Sequence, residues 1–126
     1  MPMLVLVVDD SMLIRHTVCR FFEERGFAVQ SATNGVDALT AISKAHPHLI
    51  ITDLEMPRMN GNELITELKS RPHTAAIPLV VLTSAPKKSA ADARADFAIR
   101  KDIDIDEQLA RVVDEVFKAR SARAGV

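Results

Sequence analysis

The sequence predicts a doubly wound α/β domain, and three observations predict it. Short apolar runs of strand length alternate with segments of helical period. The connections between them are short, as in open α/β sheets. Three of the runs end in chemically functional residues: Leu4-Val5-Leu6-Val7-Val8 in Asp9-Asp10, Ile50-Ile51-Thr52 in Asp53, and Leu79-Val80-Val81-Leu82 in Thr83-Ser84. Ligands of open α/β sheets sit outside the carboxyl ends of the strands, so these three ends form one candidate site.

Taken in order, residues 4–8 are a continuous valine-rich run, as expected of an interior parallel strand covered on both faces. Ser11 or Asp10 caps a first helix whose apolar residues are Leu13, Ile14, Val18, Phe21 and Phe22, and Gly26 stops it. Residues 27–31 make a short second strand. Asn34-Gly35 marks a turn, and Val36, Leu39, Ile42 and Ala45 form the stripe of a second helix that ends before Pro47. Residues 48–52 are the third strand. A third helix starts near Gly61-Asn62, buries Leu64, Ile65 and Leu68, and stops before Pro72. Pro78 opens the fourth strand, where a missing amide donor is tolerated. Residues 86–95 are rich in alanine and charge and hold no large aliphatic residue, which predicts a short, weakly anchored or irregular fourth helix. Phe97, Ala98 and Ile99 supply the fifth strand. Leu109, Val112, Val113, Val116 and Phe117 fall at i, i+3, i+4, i+7 and i+8 of a last helix, with Asp104 or Asp106 near its start. Residues 121–126 carry no partner pattern and are expected to fray.

Composition narrows the function classes. The 126 residues suffice for one core, and no repeat, linker or second domain is legible, so residues 1–126 read as one domain. Lys+Arg at 16 against Asp+Glu at 17 leaves a net charge of -1, which argues against a nucleic-acid partner. No run approaches the roughly 20 apolar residues of a membrane span, and Met1-Pro2-Met3 does not open a signal peptide. A cytoplasmic protein without membrane association is expected. Cys19 stands alone, so no intrachain disulfide forms.

The strand ends carry the chemistry. Asp9, Asp10 and Asp53 converge if strands one and three are neighbours, and three such carboxylates repel unless a cation, a proton or a positive side chain joins them. Their all-oxygen donor set suits Mg²⁺ better than zinc. Thr83 adds a hydroxyl and Lys101 a mobile positive charge, the set of groups that a phosphoryl oxygen cluster requires during transfer. A plain helix-capping role for Asp9 and Asp10 is the alternative. The four histidines are scattered, and Met56 and Met59 read as packing residues.

Together these residues resemble the bacterial response-regulator receiver domains, and the chain is similar to the stand-alone chemotaxis receiver. The resemblance runs from Leu4 through the last helix. It rests on Asp9-Asp10 after strand one, Asp53 after strand three, the Met-Pro-x-Met-x-Gly loop at residues 56–61, Thr83 after strand four and Lys101 after strand five. It implies a flavodoxin-like sheet of order 2-1-3-4-5. It implies that Asp53 takes a phosphoryl group from a phosphohistidine on a histidine kinase or histidine phosphotransfer protein. Mg²⁺ would be held by Asp10, Asp53 and the main-chain carbonyl of Glu55, with Asp9 acting partly through water. Thr83 and Lys101 would each engage a phosphoryl oxygen, Ser84 would leave access beside the acceptor, and Glu55 and Ala85 would tune the removal of the group by water. The domain would catalyse its own phosphorylation and slow autodephosphorylation rather than turn over a substrate, and a downstream protein would read its changed surface.

Three departures from the family pattern stand out. Asp102 follows Lys101 where the family has proline. Ala98 stands where the family has its aromatic switch residue, with Phe97 one position early and on the opposite side of the strand. The 84–100 segment is short. A switch carried by residues 83–95 without an aromatic rotamer is therefore expected. The alternative is a pseudo-receiver, the same fold acting as a phosphorylation-independent interaction module. A magnesium phosphohydrolase is disfavoured, because Asp53-Leu54-Glu55 has no second aspartate two residues after the nucleophile.

Overall fold

The apolar runs are buried because they are the interior of one parallel sheet. A computed structural model describes residues 3–84 and 94–124, with side chains described as far as Phe117. Its strands are β1 (Leu4–Val8), β2 (Ala28–Ala32), β3 (Leu49–Asp53), β4 (Leu79–Thr83) and β5 (Phe97–Arg100), in the order β2-β1-β3-β4-β5. Every pairing is parallel. The helices are α1 (Met12–Glu23), α2 (Gly35–Lys44), α3 (Gly61–Lys69), a single turn α4 (Pro72–Ala75), and α5 (Ile105–Ala124). The expected fold class and strand order are thus observed.

Successive residues of a strand point to opposite faces, so each strand feeds two cores. On one face Val5, Val7, Leu49, Ile51, Val80, Leu82 and Ile99 pack with Val18, Phe21 and Phe22 of α1 and Leu109, Val112 and Val116 of α5. On the other, Leu6, Val8, Ile50, Leu79 and Val81 pack with Ala38 and Ile42 of α2 and Leu64, Ile65 and Leu68 of α3. Both faces of the sheet are covered, which is why β1, β3 and β4 carry no polar alternation.

The helix signals at Ser11, Gly26 and Asp104 act as read, and two asparagines add caps of their own. Ser11 is the N-cap of α1, its hydroxyl accepting from Ile14 N at a long 3.4 Å, and Gly26 takes φ +85° in the turn behind the helix. Asn34 caps α2 and Asn60 caps α3, the latter in a reciprocal capping box with Glu63. The Asp104 carboxylate accepts from Glu107 N at the start of α5.

Several expectations change. Strands β2 and β3 lie one residue later than the apolar runs suggest, so Asp53 is the last residue of its strand rather than the first beyond it. Leu13 is 74% exposed and Val36 is also exposed, and the buried positions of α2 are Gly35, Ala38 and Ile42. Of the expected stripe Ile42 is buried and Leu39 packs against the core, while the small Gly35 and Ala38 take the closest positions and Val36 turns outward. The turn α4 has no apolar period. Pro72 starts it, and its buried Thr74 hydroxyl donates to Leu68 O at 2.6 Å, satisfying a carbonyl at the end of α3. The backbone of α5 is helical as far as Ala124, in a segment of helix-favouring Ala and Arg. The fourth helix expected over 86–95 lies outside the described residues as far as 93.

These burials make a contrast that equilibrium denaturation should resolve. Ile65→Ala should cost about 2–5 kcal/mol, the range for truncating a buried aliphatic side chain, whereas Leu13→Ala should stay within about 0.5 kcal/mol. Similar losses for the two would contradict the assignment of core faces.

Candidate functional site

Register brings the acids together. Val8 of β1 pairs with Thr52 of β3, so the next residues, Asp9 and Asp53, stand side by side where the two strands end. Asp9 is fully buried. Its amide donates to Ala32 O at 3.1 Å, its Oδ1 accepts from Ser11 N at 2.8 Å, and its carbonyl accepts from Arg15 Nη1 at 2.8 Å. Asp53 is 7% exposed. Lys101, just beyond β5, reaches across the end of β4 and sets its Nζ 3.1 Å from both Asp9 Oδ2 and Asp53 Oδ1. Asp10 is exposed at the rim, and the three carboxylates each offer an oxygen within 4.8 Å of the others. Asp10 and Asp53 border an open cleft of about 790 Å³ that Glu55, Thr83, Ser84 and Lys101 also line, with Asp9 buried behind it.

The loop between β3 and α3 is held against this cleft by two close approaches. At Gly61 an added Cβ would collide with the Asp53 carbonyl oxygen and with Leu54 Cα, and Gly61 N donates to Leu54 O at 2.9 Å. At Gly35 an added Cβ would fall 2.5 Å from Met59 Cγ, and Gly35 N donates to Met59 O at 2.9 Å. Arg58 sits at φ +66°, a left-handed conformation seldom taken by a non-glycine residue, with its guanidinium 3.6 Å from Asp37. The loop is therefore tied to α2 at one point and closed on the backbone of the Asp53 strand at another.

Electrostatics leave the site short of positive charge. Burial pushes the Asp53 carboxyl above its ordinary value and the Asp9 charge pushes it further, while Lys101 and the Glu55 amide pull only part of the way back. Burial works to lower Lys101, yet its contacts with Asp9 and Asp53 outweigh that and raise it. By distance Lys101 and Asp9 are an ion pair, but the buried Asp9 Oδ2 has no directed hydrogen bond. An under-satisfied buried carboxylate oxygen beside two further carboxylates fits a hard, oxygen-preferring divalent cation such as Mg²⁺.

The structure thus brings Asp9, Asp10, Asp53 and Lys101 into direct proximity, with Thr83, Ser84 and Glu55 on the cleft wall. Ala85 lies outside the described residues. Ala98 is exposed, pairs with Val81 and does not line the cleft, while Phe97 turns to the α1–α5 core, as strand alternation predicts. No described peptide bond is cis, and Lys101 reaches its partners with Asp102 following it. Met56, Asn60 and Asn62 also line the cleft, and sequence reasoning had not placed them there. The Asn60-x-x-Glu63 spacing was a legible signal for the first asparagine, as a helix cap. His48 lies at the opposite, N-terminal edge of the sheet, where its Nδ1 accepts from Leu4 N.

Comparison with known proteins points the same way. Residues 5–113 match the family model described as the response regulator receiver domain. The response regulator MprA of Mycobacterium sp. (strain KMS) is 34% identical over 116 residues, covering 89% of this chain and 50% of that protein. The gliding motility regulatory protein of Myxococcus xanthus is 33% identical over 89% of this chain and 15% of its own length. The chain therefore spans about half the length of the first of these relatives, and much less of the second. Among solved structures, the chemotaxis response regulator CheY4 of Vibrio cholerae is 29% identical with a TM-score of 0.82, covering 92% of this chain and 99% of that one. The response regulator TrrA of Thermotoga maritima, in complex with Mg(2+)-BeF, is 28% identical with a TM-score of 0.77, over 87% and 96%.

The pKa directions fix the sign of a stability test. Because folding raises Asp53, its contribution is fully present below the unfolded carboxyl value of about 3.9 and is lost as pH rises through the folded value. Ionised Asp53 therefore costs stability at pH 7 without metal. Asp53→Asn in chelator should stabilise the fold by about 1 kcal/mol, the ordinary scale of one substitution, and the gain should shrink as pH falls through the raised folded value and be gone below about 4. Thermal unfolding across pH checks this, and a mutant less stable at pH 7 would contradict it.

Proposed function

The chain belongs to the response-regulator receiver family, and from that premise we propose that Asp53 is its phosphoacceptor in a two-component relay. Receiver domains of this family interact with histidine kinases or histidine phosphotransfer proteins, and such a protein is the donor in this reading. The observation that carries it is the placement of Asp53 on the cleft wall with Lys101 at 3.1 Å and an under-satisfied Asp9 oxygen behind it.

An Asp53 carboxylate oxygen attacks phosphorus while the bond from phosphorus to the donor's histidine nitrogen breaks. The electron pair leaves with the imidazole, and Asp53 becomes an acyl phosphate. Asp10, Asp53, the Glu55 carbonyl and Asp9, the last partly through water, are the groups that would hold Mg²⁺, which when bound offsets charge on the phosphoryl oxygens. Lys101 is already poised between the two buried acids, so it can follow a phosphoryl oxygen without a long excursion. Thr83, at the end of β4, donates its hydroxyl to another. Ser84 leaves the approach open, and Glu55, on the cleft wall, tunes the later removal of the group by water, a role the family pattern also gives to Ala85.

The output is a changed protein-binding surface in the cytoplasm, set off by the added charge and acceptor oxygens. Ala98 offers no ring beside Thr83, so the change travels without an aromatic rotamer. The pseudo-receiver reading requires a disabled acceptor site, and the Lys101–Asp53 contact speaks against it.

With acetyl phosphate and Mg²⁺, intact mass should rise by one phosphoryl group, and Asp53→Asn should abolish the gain. A stoichiometric adduct on the Asp53→Asn protein would refute the assignment, and no adduct on the wild type would favour the pseudo-receiver. Titration calorimetry should show Asp10→Ala weakening Mg²⁺ binding at least tenfold, about 1.4 kcal/mol. Unchanged affinity would place the ion elsewhere.

A further inference from the structure

We infer that Gln108 is a positioning residue for Lys101, because its side-chain amide clasps the backbone on either side of the turn that carries the lysine. The inference deepens the phosphoacceptor reading and rests on it for its kinetic consequence. β5 is an edge strand, with β4 on one side and, among the described residues, no strand on the other. On the inner side Lys101 N donates to Thr83 O at 2.9 Å. The Arg100 N–H and C=O would lack a partner on the outer side, as backbone groups at a sheet edge do. Gln108 supplies both. Its Oε1 accepts from Arg100 N at 3.0 Å, and its Nε2 donates to Arg100 O at 2.9 Å.

The same Nε2 lies 3.3 Å from Asp104 O, so one amide ties both ends of the turn that contains Lys101. Gln108 itself is carried by the first turns of α5, which its neighbour Leu109 anchors in the core under the sheet. A second link spans the turn, from Arg100 Nε and Nη2 to the Asp102 carboxylate at 3.1 and 2.7 Å. Both of its partners are solvent-exposed, so it contributes little by comparison.

The consequence is geometric. A lysine side chain has many rotamers, and whether its ammonium meets Asp9 and Asp53 together depends on where its Cα stands. Displacements of about 1 Å at a reacting centre change rates by up to about a hundredfold. An edge strand held on one side only would leave that Cα free to drift, and the Gln108 clasp holds the other side.

The test is a double-mutant cycle on the full chain. Phosphoryl uptake from acetyl phosphate with Mg²⁺ is timed in wild type, Gln108→Ala, Lys101→Ala and the double variant, with thermal unfolding and Mg²⁺ affinity as controls. Gln108→Ala should slow uptake about tenfold, with Mg²⁺ affinity within about twofold of wild type because no carboxylate is touched. In the Lys101→Ala background the same change should slow uptake less than about twofold. Gln108→Glu, which keeps the acceptor for Arg100 N but loses the donor, should fall between. Equal slowing with and without Lys101, or no slowing, would overturn the inference. A readout free of phosphorylation separates it from the reading beneath it. In metal-free protein the Lys101 ammonium should give a solvent-protected ¹⁵N signal that Gln108→Ala abolishes. If wild type takes up no phosphoryl group, the functional reading fails and this signal alone decides: its survival in Gln108→Ala overturns the clasp.

Discussion

The rest of the site depends on one ammonium shared by two buried carboxylates. Parallel pairing of β1 with β3 forces Asp9 and Asp53 side by side, and burial makes their mutual repulsion expensive. Lys101 arrives from the far side of β4, and few side chains could span that width and deliver a charge at 3.1 Å to both acids. A buried pair of this kind is poor evidence of net stabilisation. It is better understood as a site whose charge is left incompletely balanced, with Asp10 adding a further negative group at the rim. The two hydrophobic layers tolerate that cost, because β1, β3 and β4 are packed on both faces beneath it.

The second constraint is steric. Gly61 lies against the carbonyl of Asp53, so the loop carrying Glu55 and Met56 closes directly on the backbone of Asp53. Gly35 does the same between Met59 and α2. The glycines here serve close approach, and only Gly26 among those described uses a positive φ. The loop, the Asp53 strand and α2 are thus packed directly on one another, and Lys101, on the other side of the cleft, is held by different means.

Much of this was legible in the residues. Continuous valine and isoleucine runs can be satisfied only inside a sheet covered on both sides, so the strands and their functional ends were readable. Asp9, Asp10, Asp53, Thr83 and Lys101 followed from those ends. Residues that work through small size or backbone contact were not readable. Ala38 is buried where Val36 is exposed, because proximity of helix to sheet, and not hydropathy, selects the face. The turn at Pro72 depends on one buried hydroxyl donating to a helix-end carbonyl. Gln108 looks like any polar residue on a helix surface, and its partner is a backbone that no side-chain pattern encodes.

These features together suggest where a change of charge at Asp53 is absorbed. A phosphoryl group brings about 1.5 to 2 negative charges at neutral pH to a site already short of positive ones. The acceptor backbone is locked by Gly61, and the Lys101 backbone is tied inward to Thr83 and outward to Gln108. What can still respond is the lysine side chain and the end of β4, where Thr83 and the exposed Ser84 face the cleft. Ala98 stands beside that strand end without a large side chain to be displaced, and Phe97 is committed to the opposite core. On the proposed function a response at the end of β4 is the expectation, and neither Ala98 nor Phe97 offers a ring there to carry it.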